Sequence, residues 1–138
     1  MNDRVSALLA LGCASMLASC SASAVPDTPS PRAQRDLAEA LAGRTPGPAV
    51  RCIPNYRSNN MQVIDDDTIL FRDGRIIYLQ KPRGPCSGIA NGSRTLVTRP
   101  FGTNHLCDGD INRVVDLSAG IGGGSCVFSP FVPYTRPN

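Results

Sequence analysis

MQVIDDDTILFRDGRIIYLQ (residues 61–80) decides the fold class. Residues 68–72 and 75–80 are apolar and rich in β-branched and aromatic residues, and only Asp73-Gly74 separates them. Two residues of this type between β-prone runs predict a hairpin, because the primed turns that match strand twist need positive φ at the turn. That reading sets Phe71 opposite Ile76, Leu70 opposite Ile77 and Ile69 opposite Tyr78. Arg72 and Arg75 then flank the turn face to face, a mildly unfavourable pairing that an anionic partner would relieve, although solvated charges flanking a turn are the simpler reading. Both faces of the hairpin are apolar, so it is expected to be covered on two sides.

Outward from the hairpin the same two-residue period recurs. Residues 61–64 precede it as a strand ended by Asp65-Asp66-Asp67, and residues 81–92 follow as a turn-rich connection holding Cys86. Residues 94–99 (RTLVTR), 105–107 and 111–117 (INRVVDL) read as further strands. Residues 118–124 read as a glycine-rich loop, and residues 126–131 as a closing extended segment. Short strands with frequent turns predict an all-β fold, a small antiparallel sandwich or partly open barrel spanning residues 50–138. Upstream, Ser30 as N-cap and Pro31 as first helical residue predict a short helix over about 31–43, with Gly43 at its end. Residues 21–30 are rich in Pro, Ser and Ala, so residues 20–49 read as a flexible linker carrying that helix.

At the N-terminus, residues 1–4 are polar and residues 5–17 (VSALLALGCASML) apolar. The run is shorter than the ~20 residues a membrane span needs, and fits a signal peptide. Leu17-Ala18-Ser19-Cys20 resembles the lipobox of bacterial lipoproteins. The resemblance implies cleavage after residues 1–19, a diacylglyceryl group on the Cys20 sulfur and acylation of the new amine. Ser21 in place of Asp implies sorting to the outer membrane, facing the periplasm. Two other readings of the segment are an ordinary signal peptide cut near Ser23-Ala24 and an N-terminal core helix.

With Cys13 and Cys20 set aside, Cys52, Cys86, Cys107 and Cys126 remain. An even set in a small exported domain predicts two disulfides, which three connectivities can satisfy. The expected pairing is Cys52–Cys126 and Cys86–Cys107, the first tying the ends of the domain and the second closing its central loop. The need is physical. A domain without Trp, with 13 Gly and 12 Pro in the chain, buries a modest core. No C-x-x-C spacing and one histidine argue against structural zinc. The net charge of +3 comes from dispersed arginines rather than a basic stripe, which argues against a nucleic-acid partner.

Residues from 52 onward also carry a wider pattern. Cys52-Ile53, Val63-Ile64-Asp65-Asp66 with Leu70-Phe71, Tyr78-Leu79, Cys86 with Gly88, Leu106-Cys107 with Asp108 and Asp110, and Cys126 followed by Phe131 and Pro133 resemble a family of small exported proteins of Gram-negative bacteria. That family is a domain of unknown function. The resemblance implies an envelope location and no defined activity.

For chemistry, His105, Asp108 and Asp110 crowd into six positions and form the candidate acid–base set. Ser125, Ser87 and Thr103 are the available nucleophiles, but no nucleophile elbow frames any of them. The competing reading makes His105 a strand-end residue and the aspartates turn formers. Asp65-Asp66-Asp67 could hold Ca²⁺, yet it lacks the calcium-loop spacing and reads more simply as a turn. Gly122-Gly123-Gly124 fits no phosphate-loop pattern. No metal and no cofactor is expected. The functional expectation is a lipid-anchored binding or structural accessory domain of the envelope, partnered by the membrane and by an envelope protein or polysaccharide. Two alternatives stand beside it: a small hydrolase or sugar-modifying enzyme using His105 with Asp108 or Asp110, and an inhibitor of an envelope-degrading enzyme.

Overall fold

The computed structural model describes residues 28–54, 60–99 and 104–137. The expected signal segment and Cys20 lie outside the described residues, as does Thr103. Strand pairing is antiparallel throughout the described ladders, in three open sheets. The all-β reading holds.

The first described element is α1 (Pro31–Leu41). Ser30 caps it, its hydroxyl accepting the Ala33 N–H at 3.1 Å, and Pro31 occupies the first turn, where its missing donor costs nothing. The helix packs on β3, burying Ala33. Ten strands follow among the described residues: β1 (Thr45–Pro46), β2 (Cys52–Pro54), β3 (Met61–Asp65), β4 (Thr68–Asp73), β5 (Ile76–Gln80), β6 (Arg94–Thr98), β7 (His105–Cys107), β8 (Ile111–Asp116), β9 (Gly122–Val127) and β10 (Val132–Thr135). They assemble as β1-β10-β5-β4-β3, β2-β7 and β6-β8-β9. β1 falls in the segment read as linker, so the folded unit includes residues upstream of residue 50.

The central hairpin forms one step away from the expected register. Asp73 pairs with Ile76, Arg72 with Ile77, Phe71 with Tyr78 and Leu70 with Leu79, so the turn residues are Gly74-Arg75. Gly74 takes φ +54° at the first turn position, where both primed turns require a positive value. Had Asp73 been the first turn residue, a residue with a Cβ would have carried that strain. The slip moves each partner by two residues and therefore leaves every side chain on its expected face. Arg72 and Arg75 are consequently not opposite one another. Ile69 and Leu70, neighbours on opposite faces, are both fully buried, so the hairpin is covered on two sides as expected.

Ile69 of β4 meets Val114 of β8 and Cys126 of β9, together with Cys86 and Ile89, forming the core between the five- and three-stranded sheets. A second cluster joins Ile53 and Leu106 of the two-stranded sheet to Phe128 and Phe131. Phe71 and Leu96 pack against both clusters. Phe71, Phe128 and Phe131 meet edge to face with centroids 5.5–5.9 Å apart, the arrangement that ring quadrupoles favour.

The disulfides are Cys52–Cys107 and Cys86–Cys126, correcting the expected Cys52–Cys126 and Cys86–Cys107. Strand pairing is the cause. β2 and β7 place Cys52 directly opposite Cys107, whereas Cys86 and Cys126 meet in the core of the sandwich. The connectivity is therefore interleaved rather than nested.

The expected glycine loop is also corrected. Gly122-Gly123-Gly124 opens β9, paired to β8 through a bulge between Val114 and Val115. The glycines serve a close approach: a Cβ at Gly123 would stand 3.0 Å from Arg94 Nη1, and one at Gly88 only 2.2 Å from it. The Arg94 side chain threads between these two backbones and reaches Asp116 at 4.0 Å.

Candidate functional site

His105, Asp108 and Asp110 converge on the β7–β8 connection, and the bonds of the two aspartates are structural. His105 is exposed on β7 opposite Pro54. Asp108 takes an ion pair from Arg83 Nη2 and a longer one from Arg51 Nε at 4.0 Å. Its own N–H donates to the Arg51 carbonyl at 2.7 Å. Asp110 is 7% exposed, and its carboxylate accepts the Cys107 N–H at 2.7 Å. Its carbonyl accepts from Phe128 N–H at 3.0 Å and from the buried Asn112 amide at 3.1 Å. These aspartates hold the chain around Cys107, a turn-forming use of short carboxylates.

The Asp65-Asp66-Asp67 turn is likewise built inward. Asp65 accepts the Asp67 N–H at 2.9 Å. Asp66 accepts from Gly88 N–H at 2.7 Å and Ala90 N–H at 3.0 Å, fixing the short 3-10 turn Ile89–Asn91 that carries Ile89 into the core. Among the described residues no group of three or more His, Cys, Asp or Glu side chains is arranged to hold a metal ion. Asp116 serves the same kind of role at the end of β8. The N–H groups of Ala119 and Ser118, then Arg94, hold its carboxyl below the usual carboxylate range against the opposing effect of burial. Tyr78 moves the other way: burial raises its phenol, with the charge of Asp73 adding to the shift.

Among the described residues, a groove with room for a ligand lies on the outward face of β6-β8-β9. Register places Val97, Arg113 and Ser125 in one row across the three strands. Ile111 and Arg99 complete the lining of a groove of about 310 Å³. Val97 is 43% exposed and Ile111 54% exposed, although their β-strand alternation would suit a covered face. Leu117 and Ile121, at the β8–β9 turn, are more exposed still. Arg99 and Arg113 form no ion pair among the described residues. The chemistry on offer is an apolar floor edged by two guanidinium groups and a hydroxyl. It suits a partner that combines apolar surface with carboxylate or phosphate.

Sequence reasoning marked residues 94–99 and 111–117 as strands but did not join them. β6 and β8 pair directly, and β9, whose glycines carry no strand propensity, completes the sheet on the far side of β8. Of the nominated nucleophiles, Ser125 lies in this groove beside Arg113, on a different sheet from His105. Ser87 contributes its carbonyl to Arg94 at 3.5 Å. No protein-family model, no curated protein and no solved structure matches this chain.

Proposed function

We propose that this chain is a lipid-tethered accessory domain of the bacterial cell envelope, facing the periplasm from the outer membrane, that binds a partner through the outward face of β6-β8-β9. The observation that carries the binding reading is the groove of Val97, Arg99, Ile111, Arg113 and Ser125, whose apolar side chains stay exposed. Contiguous exposed apolar surface rimmed by charge is what interaction sites of small soluble domains look like. The lipobox-like Cys20 supports the tether, and two disulfides in one small domain support an oxidising compartment. The partner is an envelope protein or acidic polysaccharide able to answer Arg99 and Arg113. The hydrolase reading gains little support, since Asp108 and Asp110 are spent on Arg83, Arg51 and the Cys107 amide.

The test is site-specific photocrosslinking in cells expressing the full chain. A crosslinking residue at Val97 or Ile111 is expected to capture a discrete partner, and one at Thr45 is not. Introducing Arg113→Glu beside the crosslinker is expected to abolish the adduct. Equal capture from both faces, or an adduct indifferent to Arg113→Glu, would refute the assignment.

A further inference from the structure

A second cationic feature sits on the other sheet, and the strand register builds it. β1 and β10 pair Thr45 with Thr135, so one residue further Arg44 stands opposite Arg136. β10 and β5 pair Tyr134 with Ile77, so Arg136 lies two residues beyond that rung, beside the Gly74-Arg75 turn. Arg72 also pairs with Ile77, so Arg72, Tyr134 and, two residues on, Arg136 share one face. Arg44, Arg72 and Arg136 thus gather at the β4–β5 turn end of one sheet face, with Arg75 in the turn itself.

Their contacts are unusual for so many cations. Arg44 Nη1 donates to the Arg75 carbonyl at 2.5 Å, while its Nε is shielded from solvent with no hydrogen-bond partner. Arg72 Nη2 donates to the Gln62 carboxamide oxygen at 2.8 Å, which orients the guanidinium without neutralising it. Among the described residues none of the four forms an ion pair with a carboxylate. Asp73, next in sequence, belongs to the opposite face, where its charge acts on Tyr78. Burial and then the fields of Arg136 and Arg72 lower the Arg44 pKa, which agrees with the crowding that the register implies. Like charges opposite one another across strands weaken a sheet, so nothing in folding calls for this arrangement.

We propose that Arg44, Arg72, Arg75 and Arg136 form an anion site for a phosphate-type group, held by the forked donors of several guanidiniums at once. Planar guanidinium forks match phosphoryl oxygens bidentately, and Arg72, Arg75 and Arg136 are exposed, with Arg72 oriented by Gln62. The phosphoryl oxygens could belong to a free phosphate or to a lipid headgroup. The site is separate from the β6-β8-β9 groove, so each can fail without the other.

The experiment uses the full chain in neutral detergent micelles. Thermal unfolding and titration are followed with inorganic phosphate, with pyrophosphate, and with micelles doped with phosphatidylglycerol against phosphatidylcholine, all at matched ionic strength. Saturable binding to at least one phosphoryl probe is expected, weakened tenfold or more by Arg44→Gln with Arg136→Gln. Without anion, that double variant is expected to melt close to wild type, because the relieved repulsion offsets the lost hydrogen bond from Arg44 to the Arg75 carbonyl; a simple structural role would lower it markedly. Arg75→Gln, at an exposed turn position, is the second variant and is expected to weaken binding without disturbing the fold. Response to inorganic phosphate or pyrophosphate assigns a free anion; response to phosphatidylglycerol alone assigns a headgroup. No response beyond that to chloride, or equal binding by wild type and variants, would overturn the proposal.

Discussion

Gln80→Leu is expected to destabilise the domain by about 2–4 kcal/mol, although it exchanges a polar side chain for an apolar one at a fully buried site. Gln80 is 0% exposed on β5 opposite Ile69. Its amide donates to the Ser129 carbonyl at 2.8 Å, and its oxygen accepts the Ser129 N–H at 3.0 Å and hydroxyl at 2.9 Å. One carboxamide therefore stands in for a missing ladder rung, and it holds the segment between Phe128 and Phe131, both fully buried. Each neutral hydrogen bond contributes about 1 kcal/mol net, and each backbone group stranded without a partner costs about 1–3 kcal/mol. Ser129 is only half-buried, so water can recover part of that loss. The chain has no Trp, so urea unfolding with disulfides intact is followed by tyrosine fluorescence and near-ultraviolet circular dichroism. With a slope of about 1–2 kcal/mol per molar, the midpoint is expected to fall by roughly 2 M. Ser129→Ala, which removes only the hydroxyl, is expected to cost about 1 kcal/mol. A midpoint for Gln80→Leu within about 0.3 M of wild type would refute this account of the core.

Non-reducing peptide mapping is expected to recover Cys52 linked to Cys107 and Cys86 linked to Cys126; either nested pair would contradict the strand register. Removing Cys86–Cys126 as a double alanine variant is expected to cost about 4 kcal/mol on a chain-entropy estimate for its separation of 40 residues, measured by the urea midpoint. Gly88→Ala, at φ +81° and with its Cβ in the path of Arg94, is expected to cost about 2 kcal/mol, and Gly123→Ala less, since the end of Arg94 can shift. Asp116 has a folded-state pKa below its unfolded one, so its stabilisation is full above roughly pH 4 and disappears as pH falls through the folded value. Asp116→Asn is therefore expected to flatten the acid limb of stability against pH, and an unchanged limb would contradict the assignment. His105→Ala is expected to leave both the fold and the Val97 crosslink intact.

The hairpin was legible because alternation and turn chemistry are local properties, and even its register error preserved the faces. Ser30 and Pro31 announced the helix for the same reason. What escaped depends on partners far along the chain. Triple glycine carries no strand signal of its own; β8 and the passage of Arg94 make residues 122–124 extended. Cysteine order left three connectivities, and only the pairing of β2 with β7 selects one. The candidate acids were visible by crowding, but crowding alone does not distinguish a catalytic carboxylate from one that holds a turn. The groove and the arginine row were invisible for a common cause. Each is assembled from residues on several adjacent strands, so neither exists until the register is known.

The interleaved disulfides bear on why such surfaces can persist. Exposed Val97 and Ile111 forgo burial, and Arg136 and Arg72 repel Arg44, so both surfaces weaken a fold whose core is small. Cys52–Cys107 ties the two-stranded sheet across 55 residues, and Cys86–Cys126 ties the connection after β5 to β9 across 40. Because the two loops overlap, opening either sheet strains a segment held by the other bond. Cross-links that restrict the unfolded chain by about 4 kcal/mol each do so without occupying the outer faces. In a chain of this composition, that division lets the core and the bridges supply stability while the outward faces remain open to charge and apolar side chains. A reduced chain should therefore lose its fold before either surface could be examined for binding, which is why both binding experiments require the oxidised protein.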